Sequence, residues 1–289
     1  MALIILYMLI MFALIGGNKI VYKGAYDGLM LWFNNVIPLL LPFMLMSSLI
    51  VERIKTLPQK KQNKYAILIT IFTGLFCGYP IGAKNAADFV NCGSIDIKTG
   101  NLLLPLCNNS SPMFLSGYIL LNILNEQVSF FHAILFIYTP YVIYLITGML
   151  INRLINKGSQ KKNYKKSKDK GKSDHIMSTI VQITYVGFYI IICSIICEYI
   201  MSTNLYTEIK TIFAGITEIT KGTMLISKVG IFNNKIKTAL ILSIASFGGI
   251  SAILQTRNVI KDSGLSIVSY ITAKTICAFA TYGLAYYFI

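Results

Sequence analysis

The chain has 289 residues, of which 55% are hydrophobic and only 13% charged, with a mean hydropathy of +0.65. That balance excludes an ordinary soluble domain and predicts an all-α polytopic membrane protein. The formal net charge of +15 does not point to nucleic acid, because nine of the 26 Lys and Arg residues crowd into one Lys/Ser/Gly/Asn-rich run between Arg153 and Lys172. A run like that, without apolar periodicity, reads as a solvated cytoplasmic linker lying against anionic lipid.

In chain order, the first apolar segment is 2–16. It lacks a basic leader and a small-x-small cleavage site, so it reads as a membrane helix rather than a signal peptide, with residues 1–27 as that helix and its loop. The second, 28–50, contains Pro38 and Pro42, which should kink it. Further segments follow at 65–92, 99–124, 129–151, 176–200, 209–228, 237–261 and 265–289, each near the ~20 residues that one crossing needs. Four of them are interrupted by glycine and polar residues. Gly74, Gly78, Pro80 and Gly82 break 65–92, and Asn108-Asn109-Ser110-Ser111-Pro112 breaks 99–124. Gly215, Glu218 and Gly222 break 209–228, and Ser246-Phe247-Gly248-Gly249 breaks 237–261. The six cysteines lie in or at the ends of apolar segments without metal-ligand spacing, and read as small packing residues.

Charge sets an expected topology. Loop 51–64 carries Arg53, Lys55, Lys60, Lys61 and Lys64, so it belongs inside, as does linker 152–175. Three segments lie between them and an even number must cross. The broken segment 65–92 is therefore expected to be a re-entrant hairpin. The chain then divides into repeat 1 (28–151, with hairpin 65–92 and broken helix 99–124) and repeat 2 (176–289, with hairpin 209–228 and broken helix 237–261). Repeat 1 starts outside and repeat 2 inside, which makes them inverted repeats and places Lys228, Lys235 and Lys237 on the outer side.

Broken helices at membrane depth survive where they face protein or a wet cavity, so these breaks are where a cargo site is expected. Glu218 is a costly carboxylate among apolar neighbours, and reads as a cargo contact or a carrier of a coupling proton or cation; Thr220 stands beside it. Lys221 is expected to pair with Glu218 on one helical face. Lys84 can supply positive charge or snorkel to the interface. Asn108, Asn109, Ser110 and Ser111 read as a cavity lining. Gly248 and Gly249, with Ser251 and Gln255, would offer N–H groups at a helix start, where anions bind, or else pack helices closely through small residues. This break matches Asn108–Pro112 in the first half, Gly74 and Gly82 match Gly215 and Gly222, and Gly78 and Gly82 are also read as cargo contacts. Asp88 and Glu198 read as solvated segment ends. No nucleophile–base pair, metal-ligand spacing or P-loop is found, so neither an enzyme nor a bound cofactor is expected.

The strings Gly78-Tyr79-Pro80-Ile81-Gly82-Ala83-Lys84 and Cys107-Asn108-Asn109-Ser110-Ser111-Pro112-Met113-Phe114-Leu115-Ser116-Gly117 resemble the YlbJ (SpoVV) sporulation integral membrane proteins. The second-half motifs from Gly215 to Gly222 and from Phe247 to Ser251 with Gln255, and the Trp32, Pro38, Pro42-Phe43 helix, fit the same pattern, so the resemblance covers about residues 25–289. Wider relatives are the nucleoside-recognition "gate" domain proteins, similar in plan to concentrative nucleoside transporters. The resemblance implies a multi-pass protein of the bacterial cell membrane, in a spore former the mother-cell side of the outer forespore membrane. It implies a secondary transporter of a small anion, dipicolinate, and a homo-oligomer. Glu218 would then have to be neutral, or touch a part of the ligand other than its carboxylates. Two alternatives are a non-transporting gate-domain scaffold and a transporter of a nucleoside-like cargo.

Overall fold

The computed structural model describes residues 15–155 and 175–289, with positions 1, 4, 5, 8, 11 and 12. Most of the first membrane segment expected at 2–16, and linker residues 156–174, lie outside the described residues. Every regular element among those described is helical.

Helix α1 (Asn18–Leu31) covers what the sequence suggested was a loop. Its Gly24 and Gly28 form a small-xxx-small stripe that lets two backbones meet. A Cβ at Gly24 would stand 2.6 Å from the Ile195 Cα, and one at Gly28 2.8 Å from the Ile191 Cα. A π-helical turn, Trp32–Val36, leads into α2 (Ile37–Lys55), and the two arms are bent by 57°. The expected proline kink is thus present, between Val36 and Leu40 and so at Pro38, just after the π-helical turn. A proline ring crowds the carbonyl four residues back, here that of Asn34, and the widened turn makes room for it. The Trp32 indole N–H donates to the Ile183 carbonyl at 3.0 Å, tying the bend to the next long helix of the second half.

Four helix–break–helix units follow the pattern the sequence suggested. Helices α3 (Gln59–Cys77) and α4 (Ile81–Asn91) meet at Gly78-Tyr79-Pro80. Helix α5 (Ile97–Cys107) stops at Asn108, and the chain resumes at Ser111 as α6 (Pro112–Phe114, running on as a π-helical stretch Leu115–Ile123). Helices α9 (Thr207–Thr217) and α10 (Ile219–Ser227) meet at Glu218, and α11 (Asn234–Phe247) and α12 (Gly249–Ile260) meet at Gly248. Unbroken α7 (Phe130–Ile155), α8 (His175–Ser202) and α13 (Ile267–Phe288) complete the described chain.

Among the described residues, the stretches Phe130–Leu154, Ile176–Ser202, Asn234–Ile260 and Ile267–Phe288 are each long and apolar enough to cross a membrane, and α1 and α2 add a fifth where the bent pair counts as one span. On α3, Leu68, Phe72 and Phe76 are more than half exposed, forming an outward i, i+4 stripe of the kind lipid covers. The molecule is an all-helical protein with the architecture of a multi-pass membrane protein. Its core is made by α5 and α11 lying side by side with α7 and α13, through Leu103, Leu104, Tyr141, Ile241, Leu242 and Tyr270, all fully buried.

Candidate functional site

Each break has a local cause. Gly78 (φ +74°) ends α3, and its N–H bonds back to the Gly74 carbonyl at 2.9 Å. Helix α5 ends where Asn108 leaves the helical region (φ −118°, ψ 60°), and Ser111 caps α6, accepting the Phe114 N–H at 3.2 Å. Glu218 is extended (φ −142°, ψ 120°) and caps α10, its Oε2 accepting the Lys221 N–H at 2.8 Å. Gly248 (φ +89°) ends α11 in the left-handed region, which costs a glycine little, and α12 starts without a side-chain cap.

These breaks line one cavity of about 460 Å³. Tyr79 comes from the first, Ser110 and Ser111 from the second, Glu218 and Thr220 from the third, and Gly248, Ser251 and Gln255 from the fourth. Phe114 and Tyr118 on α6 form one wall, with ring centroids 5.2 Å apart and planes 20° from parallel. The Tyr118 hydroxyl donates to the Thr220 carbonyl at 2.8 Å, joining that wall to the third break. Asn34 and Asn35 in the π turn, Leu40 on α2, and Val186 and Ile190 on α8 close the remaining side. The volume is within the ~300–1,000 Å³ usual for small-molecule sites, and the lining is mainly apolar with a few convergent polar groups.

Of the residues singled out from sequence, Ser110, Ser111, Glu218, Thr220, Gly248, Ser251 and Gln255 line this cavity. The others do different work. Gly82 is a point of contact between helices: a Cβ there would overlap the Cys107 carbonyl, and Gly74 abuts Cys107 in the same way. In the second half, Gly222 and Gly215 pack directly on each other. Gly78 lies against the second break, where a Cβ would stand 2.7 Å from the Asn109 carbonyl, and Gly249 against the third, 3.3 Å from that of Thr217. Lys84, partly exposed on α4, has Asp88 and Lys55 as its charged neighbours and does not line the cavity. Asn108 is turned inward, donating to Thr256 Oγ1 at 2.6 Å and to the Tyr270 hydroxyl at 2.9 Å.

Two charge assignments change. The Lys221 ammonium does not reach back to Glu218. It pairs with Glu198 and, at 2.9 Å, with Asp27, while Lys23 joins Glu198 at 3.0 Å. Glu198 is therefore buried mid-network rather than solvated at a segment end. This network ties α10, which carries one cavity wall, to α1 and α8.

Sequence reading missed Lys274. It lies in α13 with no exposed surface, its Nζ 3.1 Å from Asn109 Oδ1 and 4.9 Å from the centre of the Tyr141 ring. The available signal was a lone lysine near the middle of an apolar segment of bilayer length, which is itself grounds to suspect function. Tyr79 and Tyr118 were also overlooked. Among the described residues, no group of three His, Cys, Asp or Glu is placed to hold a metal.

Compared with known proteins, the chain matches no family model, no curated protein and no solved structure.

Proposed function

We propose that this chain is a secondary transporter that carries a small, planar, anionic metabolite across a bacterial membrane by alternating access. The observation that carries the reading is that four helix breaks, far apart in sequence, contribute side chains to one cavity. Backbone that leaves its helix at membrane depth needs partners, and a binding cavity is a place where it finds them. The stacked Phe114 and Tyr118 suit a flat ring. The starts of α4 and α12 lie at breaks without a side-chain cap, and helix starts favour negative charge.

In this reading the two halves are inverted repeats, and α3–α4 and α9–α10 are re-entrant hairpins entering from opposite sides. Two things support it. The elements run in the same order in each half. The neighbours also correspond: α5 packs on α13 as α11 packs on α7, α4 on α12 as α10 on α6, and α3 on α6 as α9 on α12. Dipicolinate is the first cargo to try, because of the resemblance of the motifs around Gly78, Asn108, Glu218 and Gly248 to sporulation membrane proteins. A nucleoside is the second. The side-chain carbonyl of Gln255, buried and without a partner at the cavity wall, suits a base or ribose donor.

The test is uptake of labelled dipicolinate into proteoliposomes, with an excess of unlabelled uridine in a parallel series. Protein-dependent uptake that uridine does not compete, and that Glu218→Gln reduces at least about tenfold (about 1.4 kcal/mol), supports the reading. Uptake equal in wild type and Glu218→Gln removes Glu218 from the site, and protein-dependent uridine uptake moves the cargo to the nucleoside class.

A further inference from the structure

Lys274 is a charge with too few partners. An ammonium has three protons to donate, and Lys274 has one oxygen, Asn109 Oδ1 at 3.1 Å, with the ring faces of Tyr141 and Tyr270 at 4.9 and 6.0 Å. No carboxylate among the described residues pairs with it. Asn109 is short of a partner as well. Its Oδ1 takes both the Lys274 proton and the Ser110 N–H at 2.9 Å, which fixes the orientation of the amide. That leaves Asn109 Nδ2, fully buried, as a donor with nothing to donate to. Two neighbouring buried groups are therefore short of acceptors, Lys274 with one and Asn109 Nδ2 with none, although the next residue back, Asn108, holds a buried Oδ1 that is itself unpartnered. An unmet buried donor costs on the scale of a lost hydrogen bond.

Both groups sit directly behind the cavity wall. Ser110, next to Asn109, lines the cavity, and so does Gly248. A Cβ on Gly248 would stand 3.9 Å from Lys274 Nζ, so the ammonium is the direct neighbour of a cavity-lining glycine without lining the cavity itself. The uncapped start of α12 adds free N–H groups at the same place.

We propose that Lys274 and Asn109 form an anion subsite that receives one carboxylate of the cargo. The inference rests on the transport reading and adds to it a source of positive charge, a role for which the sequence had offered Lys84 as one of its two readings. The carboxylate would take the two free protons of Lys274 and the Nδ2 protons of Asn109, with the aromatic wall of Phe114 and Tyr118 holding the ring of the ligand.

The test is the thermal unfolding of purified protein titrated with dipicolinate, benzene-1,3-dicarboxylate and the uncharged diamide of dipicolinate, for wild type, Lys274→Met and Lys274→Arg, beside proteoliposome uptake. We expect both dicarboxylates, and not the diamide, to raise the wild-type melting temperature. Lys274→Met should lose that shift, keep or raise ligand-free stability, and take up dipicolinate at least tenfold more weakly, while Lys274→Arg should retain part of the shift. An undiminished dicarboxylate shift or undiminished uptake in Lys274→Met overturns this subsite and leaves the transport reading standing. So does an equal response to the diamide, or a Lys274→Met protein less stable than wild type without ligand. If no dicarboxylate shifts or enters with the wild type, the anion-transport reading falls and the subsite falls with it.

Discussion

Glu218 does two jobs that pull against each other. As the cap of α10 it satisfies the Lys221 N–H, and as a cavity-lining carboxylate, 2% exposed, it faces the proposed cargo site. Glu218→Gln keeps an oxygen for the cap, so the fold should survive while cargo handling changes. Glu218→Ala removes both and should also cost about 1 kcal/mol of stability. Comparing the melting temperatures of the two variants in detergent checks this separation, and equal stability would mean the cap contributes nothing. At this scale the sequence was readable only in part. Glu218 and the Ser110-Ser111 pair stood out because polar groups in an apolar run have no packing explanation. Lys274 was hidden because α13 otherwise reads as an ordinary crossing. Whether Lys84 or Lys274 stands nearer the cavity depends on which helix faces the breaks, and periodicity does not fix that.

The glycines at the breaks are contact points between helices, and that makes them sensitive. A methyl at Gly222 would meet the Gly215 Cα, and one at Gly82 the Cys107 carbonyl, in both cases backbone rather than a side chain that can move aside. Gly222→Ala and Gly82→Ala should each destabilise by about 1–3 kcal/mol, the range for overpacking a tight contact, whereas Gly117→Ala, with open space around it, should be near neutral. Thermal unfolding of the three variants tests this, and equal effects would contradict it. The ion network gives a second test. Lys221→Met leaves Glu198 with Lys23 as its remaining cation, so it should destabilise by less than the about 3–5 kcal/mol of a fully stranded buried charge, and adding Glu198→Gln should recover much of that loss. A double variant no more stable than Lys221→Met alone would mean the network is not what ties α10 to α8. The positions of the breaks were legible because glycine and proline mark them directly. Helix α1 was not: its Lys, Tyr, Asp and Gly content looks like a loop, and its helicity follows from packing Gly24 and Gly28 against α8.

For the molecule as a whole, inverted halves require the two hairpins to open on opposite faces. With a membrane-impermeant thiol reagent outside intact cells, Gln127→Cys and Asn204→Cys should react and Asn63→Cys and Asp262→Cys should not; all four positions are exposed. Finding residues 63 and 204 on one face would contradict the inverted arrangement. Charge alone suggested this topology, because basic residues cluster at 51–64 and 152–175, although the lysines near 228–237 run against the rule. How the breaks converge could not be read from charge, since it depends on helices more than a hundred residues apart packing side by side.

The central claim is that these breaks enclose a cargo site, and the protein carries its own reporter for it. Cys77 is a free thiol at the end of α3 that lines the cavity. The most direct measurement is the rate at which N-ethylmaleimide alkylates Cys77, followed by mass spectrometry, with and without dipicolinate. At a dipicolinate concentration of about ten times Kd, occupancy should slow Cys77 modification about tenfold and leave Cys92, outside the cavity, unaffected. Cys77 alkylated at the same rate with saturating dipicolinate, in protein that still takes it up, would place the cargo elsewhere and contradict the account.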